Sequence, residues 1–219
     1  AASMCFDMHQ SDKLSIFVDD ARRYPAEREE GAGFEVLPPD ENYSRGKFST
    51  EQTDHGYAVR YALAGIRNVG EKAMEAIVAE REANGKFESL KDFLERIPQG
   101  SMNRRQLEGL ICAGALDGLH PNRGELFANT DLLLATADAA ARERSSGQGG
   151  LFGGDNAPQD DLRLQAAEAW PRIDQMAKER ENFGFYFSAH PVQQYREAAS
   201  AHGARTYQSL MEGGTPSGG

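Results

Sequence analysis

A chain of 219 residues with 39% hydrophobic and 26% charged residues has apolar material for one ordinary domain or two small ones. Its 34 acids against 24 bases leave a net charge of −10, which does not mark a nucleic-acid binder overall. Cys5 and Cys112 lie far apart, and no basic leader or membrane-length apolar run occurs, so disulfide-stapled and membrane classes are excluded and a cytoplasmic protein is expected.

In chain order, the first predicted element is a helix. Leu14, Phe17, Val18 and Ala21 recur at helical spacing after Ser11, a favourable N-cap residue, and Tyr24-Pro25 ends it. An acidic, glycine-punctuated loop follows from Ala26 to Gly33. Phe34 to Leu37 alternates briefly before Pro38-Pro39-Asp40 turns the chain. Strands near 46–51 and 57–61, joined through Thr53-Asp54-His55-Gly56, predict a hairpin. The opening carries neither tag nor leader, as expected of a first domain cut from a larger protein.

Helical signals then crowd together. Ala73, Met74, Ile77 and Val78 form one apolar stripe. Ser89 with Asp92 resembles a capping box ahead of Leu90, Phe93 and Leu94. Asn103 is the expected cap of a helix carrying Leu107, Leu110 and Ile111, with Gly114 as its stop. A longer helix is predicted from about Asn122 to Arg144. Residues 145–161, with five glycines and Pro158, read as a flexible linker. A last helix is expected to start near Pro171 and end at Gly184, and the Gly-rich tail is expected to be disordered.

The sharpest motif is Leu63-Ala64-Gly65-Ile66-Arg67-Asn68-Val69-Gly70-Glu71-Lys72, read as a helix ending near Ile66, a two-residue turn and a new helix opened by Gly70. That pattern is a helix-hairpin-helix. The free N–H groups and dipole of the second helix suit a phosphate oxygen, with Arg67 and Lys72 flanking it. Contacts of this kind grip the duplex backbone without reading bases. Asn68 stands where such hairpins usually carry glycine, and asparagine tolerates the left-handed conformation. A degenerate second copy runs from Leu94 through Pro98–Met102 to Asn103-Arg104-Arg105. Taken alone, the first joint also fits two core helices joined by a short turn, with Lys72 simply solvated.

Charge supports the same segment. Residues 58–114 hold 9 bases and 8 acids, whereas 1–57 hold 6 and 12, and 115–219 hold 9 and 14. Only the middle segment lacks the acidic excess, so local, weak binding through about three or four phosphates is expected, with a log–log salt slope of roughly −3. A second motif, Gln148-Gly149-Gly150-Leu151-Phe152, lies inside the linker. Leu151 and Phe152 have the form of apolar anchors for a partner's pocket, although a loop tucking Phe152 onto its own domain fits as well.

Together these residues resemble the bacterial replicative DNA polymerase III alpha subunit family. The likeness runs through Asp7-Met8, Ser11 to Leu14, Val36 to Asp40, Arg60 to Leu63 with Val69-Gly70, Asn103 to Arg105, Ala113 to Asp117, Gln148 to Phe152, and Gly184 to Pro191. It departs at Asn68 and Ala189, where the family tends to have glycine, and in the loop 24–33. The resemblance implies the end of the fingers region over 1–57 and a tandem helix-hairpin-helix DNA-binding domain over 58–144. It further implies a linker with the clamp-binding motif over 145–161, a helical segment approaching an OB fold over 162–211, and a tail over 212–219. The expected fold is therefore mainly α, a tandem helix-hairpin-helix bundle with a small α+β N-terminal piece.

The implied function is a non-catalytic portion of a DNA-directed DNA polymerase. Arg67, Asn68, Val69, Gly70, Lys72, Arg104 and Arg105 would hold duplex DNA, and Gln148, Leu151 and Phe152 would bind the sliding clamp. Other replicase subunits are further implied partners. The full enzyme would use Mg2+, but this stretch has no Asp-x-Asp pair, and His9, His55, His120, His190 and His202 are scattered, so neither catalysis nor a cofactor is expected of it. His190 reads as structural. The alternatives are a stand-alone helix-hairpin-helix adaptor binding protein only, and a DNA glycosylase with Asp92 as its acid, although Asp92 suits a cap equally well.

Overall fold

The computed structural model describes residues 1–23, 35–54, 56–146, 162–189 and 201–202. It is mainly helical with a small α+β piece at the N-terminus, as the sequence predicts. A short helix the sequence did not announce, α1 (Ala2–Phe6), buries Met4 ahead of α2 (Ser11–Arg23). Ser11 is the first residue of α2 rather than its cap, which leaves the hydroxyl for a distant partner. Leu14 and Val18 are the fully buried face of α2.

Strands β1 (Glu35–Leu37), β2 (Ser49–Thr53) and β3 (Gly56–Arg60) form one sheet in the order β1-β3-β2. β2 and β3 make the expected hairpin, with Thr50 opposite Val59, but β2 begins three residues later than predicted. β1 runs parallel to β3 on the other side, with Val36 opposite Val59. Between β1 and β2, the turn 40–44 is tied on several sides. Asn42 exchanges two hydrogen bonds with the Phe87 backbone, at 2.8 and 2.9 Å. The Ser44 hydroxyl donates to the Tyr61 carbonyl, and the Glu41 N–H donates to the Ala115 carbonyl.

The helix expected to end near Ile66 is not there. Only a 3-10 turn spans Leu63–Gly65. β3 runs to Arg60, and the Leu63 and Ala64 N–H groups donate to the carbonyls of Arg45 and Gly46, so those donors are used before a helix can form. Helix α3 (Glu71–Asn84) follows, then α4 (Leu90–Arg96) and α5 (Arg104–Cys112). At α4 half of the anticipated capping box forms: Ser89 accepts from Asp92 N–H, while the Asp92 carboxylate accepts from Glu88 N–H instead of Ser89. At α5 the box is complete, Asn103 and Gln106 capping each other. Gly114, at φ 76°, lies just beyond the Ala113 cap, and a Cβ there would run into the Arg123 guanidinium.

The long helix predicted over 122–144 is two, α6 (Arg123–Ala128) and α7 (Thr130–Ser146). Buried Asn129 breaks it. Its amide donates to the carbonyls of Glu125 and Gln165 and its oxygen accepts from Gln165 N–H, each at 2.8 Å. Gln165 belongs to an extended strap, 162–171, which Asn122 also holds through the Ala167 carbonyl. The strap leads into α8 (Arg172–Phe183), capped by left-handed Gly184 as the Pro and Gly signals predict. No helix among the described residues is long and apolar enough to cross a membrane.

One apolar core runs through all these pieces. Tyr61, at the end of β3, is fully buried, and its ring meets Phe48, Phe183 and Phe187 edge-on at centroid distances of 4.7, 4.9 and 5.4 Å. The N-terminal sheet, the hairpin and the last helix therefore share a single aromatic junction.

Candidate nucleic-acid interface

Asn68 has φ 64°, the one left-handed non-glycine residue among the described positions. The reversal is as tight as the motif requires. Ile66 N–H closes the 3-10 turn on the Leu63 carbonyl, and Val69 N–H closes the next turn on the Ile66 carbonyl. Val69 buries its side chain, while Arg67, Asn68 and Gly70 stay exposed. The hairpin is thus anchored by buried Ile66 and Val69, with Arg67, Asn68 and Gly70 at the surface.

Gly70 is the N-cap of α3, and no side chain caps that end. The first N–H groups of a 14-residue helix then stand free beside exposed Lys72, the arrangement that favours an anion. Glu71 opposes this, but its carboxylate is paired with Lys47 at 3.1 Å. The second hairpin differs. The Asn103–Gln106 box satisfies donors at the start of α5 that an external phosphate would otherwise take. By this geometry the start of α3 keeps more unbonded backbone donors than the start of α5.

The two hairpins meet. α5 crosses the first turn at Gly109, where a Cβ would lie 3.1 Å from Val69 Cγ2 and 3.3 Å from the Arg67 carbonyl. Gln106 Nε2 sits over Gly70. Asn68, Arg105, Glu108, Phe127, Lys178 and Glu181 line a cleft of about 320 Å3 between the hairpin, α5 and α8.

The predicted cations have different fates. Arg105 is exposed, lines the cleft and has no ion pair among the described residues. Arg104 is held by Glu108 at 2.8 Å and by Asp131, and these carboxylates hold its guanidinium above its usual range. Arg67 donates to the Ser11 hydroxyl at 3.0 Å and to the Glu181 carbonyl at 3.4 Å. Lys178, which the sequence reading missed, faces the cleft from α8 over the Phe127 ring. Nothing in local sequence marks Lys178, but Gln106 three residues after Asn103 is a readable box.

Asp92 is occupied as a cap and as the partner of Arg96 at 2.9 Å, which leaves it unsuited to the glycosylase role. Among the described residues no group of three or more His, Cys, Asp or Glu side chains is placed to hold a metal ion. Gln148, Leu151, Phe152, His55 and His190 lie outside the described residues.

Comparison with known proteins agrees with this geometry. A helix-hairpin-helix motif model matches residues 33–126. The DNA polymerase III subunit alpha of Caulobacter vibrioides is 40% identical over 88% of this chain. Those of Neisseria meningitidis serogroup B and Thermus aquaticus are 41% and 40% identical over 90% and 97% of it. The chain is homologous to one segment of DNA polymerase III alpha subunits. It spans 16% of the length of each of these curated relatives. The helix-hairpin-helix match ends within α6, so α7, the strap and α8 lie beyond it.

Proposed function

We propose that this segment grips the backbone of duplex DNA during replication, as a non-catalytic part of a DNA polymerase III alpha subunit in the cytoplasm. The observation that supports it best is the uncapped start of α3 behind left-handed Asn68, with Lys72 and Arg105 both exposed. A phosphate oxygen accepts from the α3 amides, and Lys72 and Arg105 neutralise its charge. No base is read, as a polymerase that moves along any sequence requires. The nucleotidyl transfer of the whole enzyme, with its magnesium, belongs to parts of a polymerase other than these residues.

The second half of the proposal concerns the sliding clamp. Gln148, Leu151 and Phe152 insert into a clamp pocket, which raises the local concentration of the polymerase on DNA. Contacts with other replicase subunits complete the partners.

Duplex binding measured against salt tests the first half. Wild type is expected to give a log–log slope of roughly −2, about one for each of Lys72 and Arg105, and Lys72→Ala is expected to reduce its magnitude by about one. A salt-independent or absent affinity defeats the DNA reading and favours the protein-only adaptor. For the clamp, Leu151→Ala with Phe152→Ala is expected to abolish binding to a bacterial sliding clamp while leaving duplex affinity unchanged. Clamp binding retained by that double variant removes the assignment.

A further inference from the structure

The start of α2 and the end of α8 converge on one hairpin residue. Arg67 donates its backbone N–H to the Asn182 carbonyl at 2.9 Å, and its guanidinium reaches the Glu181 carbonyl at 3.4 Å. Both carbonyls belong to the last turn of α8, where helix acceptors lack intrahelical donors and the dipole is negative. The other arm of the guanidinium takes the Ser11 hydroxyl at 3.0 Å. Gly184 is shaped around this bridge. Its φ is 86°, and a Cβ there would lie 2.5 Å from both Arg67 Nη2 and Ser11 Cβ. The strain and the crowding both reserve position 184 for glycine.

We infer that Arg67 is a positioning residue: with Ser11 and the α8 C-terminus it forms a bracket that fixes the first hairpin, and it does not itself neutralise a phosphate. Three segments far apart in sequence, residues 11, 67 and 181–184, set the angle at which the α3 amides face outward. The guanidinium is engaged on the side of the hairpin turned to α2 and α8. Lys72 and Arg105 carry the charge recognition that the proposed DNA function requires, and the bracket's effect on affinity rests on that function. The last helix is thus part of the binding module, although it lies outside the stretch that the helix-hairpin-helix model covers.

Two measurements on the intact chain test the bracket. In amide hydrogen exchange, Ser11→Ala and Arg67→Ala are each expected to speed exchange across residues 66–74 relative to the rest of the core. Unchanged exchange there in both variants overturns the proposal, whatever DNA does. In duplex titrations at several salt concentrations, both variants are expected to weaken binding about fivefold, the effect of one lost hydrogen bond of ordinary strength, with the salt slope unchanged. A slope reduced by about one in Arg67→Ala means that Arg67 contacts phosphate directly, and overturns the proposal. If wild type fails to bind duplex at all, the DNA reading falls while hydrogen exchange still decides the bracket.

Discussion

Replacing Arg123 with alanine is expected to lower stability by about 3–5 kcal/mol, read as a shift of the urea midpoint. Arg123 opens α6 with only 14% of its side chain exposed. Its guanidinium makes a fork with Asp117, at 2.6 and 2.8 Å, and reaches Glu179 of α8 at 3.0 Å. Glu179 is buried, and its other oxygen accepts the Ser188 N–H at 3.1 Å. One side chain thus joins the loop after α5, the start of α6 and the last helix. Truncating it strands a buried carboxylate without a counter-charge, which costs more than the loss of the pair. A paired replacement separates the two effects. Arg123→Leu with Glu179→Leu is expected to cost less than Arg123→Ala alone, because no uncompensated charge remains. A double variant that is worse than the single one would show that the ion pair itself, and not the stranded charge, supports the junction.

That junction shows where sequence reading succeeds and where it stops. Elements governed by neighbours in sequence were legible: Pro171 and Gly184 bracket α8, Gly114 follows α5, and Asn103 caps it. The Leu63–Lys72 motif placed the hairpin, and Asn68 does adopt the left-handed turn. Elements governed by distant partners were not. The break in the long helix comes from Asn129 bonding Gln165, 36 residues on, while the residues around it keep helical propensity. The missing helix before Ile66 has the same kind of cause, since the donors of Leu63 and Ala64 go to a turn near residue 45. Ser11 reads locally as a cap, and only the fold brings Arg67 to its hydroxyl. For the candidate site this matters most. Sequence marked Arg67, Arg104 and Arg105 as equivalent cations, whereas tertiary pairing leaves Arg105 open and turns the other two toward protein partners.

Stability of the protein is expected to fall as pH rises from about 4.5 to about 7, and Glu41→Gln is expected to remove much of that fall. Glu41 is 3% exposed in the turn after β1, and its Oε2 has no hydrogen-bond partner, the one such buried side-chain atom among the described residues. Burial pushes its carboxyl up to about 7, helped by Asp40 on the same turn and, less, by Asp117 beyond α5. Arg81 of α3 opposes the shift weakly, its guanidinium donating to the Glu41 carbonyl rather than to the carboxylate. Below pH 4.5 the group is protonated in both folded and unfolded chains and has no effect on the balance. Between 4.5 and 7 the unfolded chain releases the proton and the folded one keeps it, so each step in pH favours unfolding. Above about 7 both forms are ionised and the loss is complete. A shift of this size corresponds to roughly 3 kcal/mol. Glutamine keeps the shape and the acceptor toward the Asn42 amide, and presents a donor beside Asp40 where the carboxylate presents repulsion. Melting temperatures of wild type and Glu41→Gln across pH 4.5–8.5 decide the matter. The two curves are expected to meet near pH 4.5 and diverge toward pH 7, with the variant more stable. Parallel curves would mean that the folded protein ionises Glu41 at an ordinary carboxylate pKa, and that the turn accommodates a charged side chain against Asp40 and Asp117.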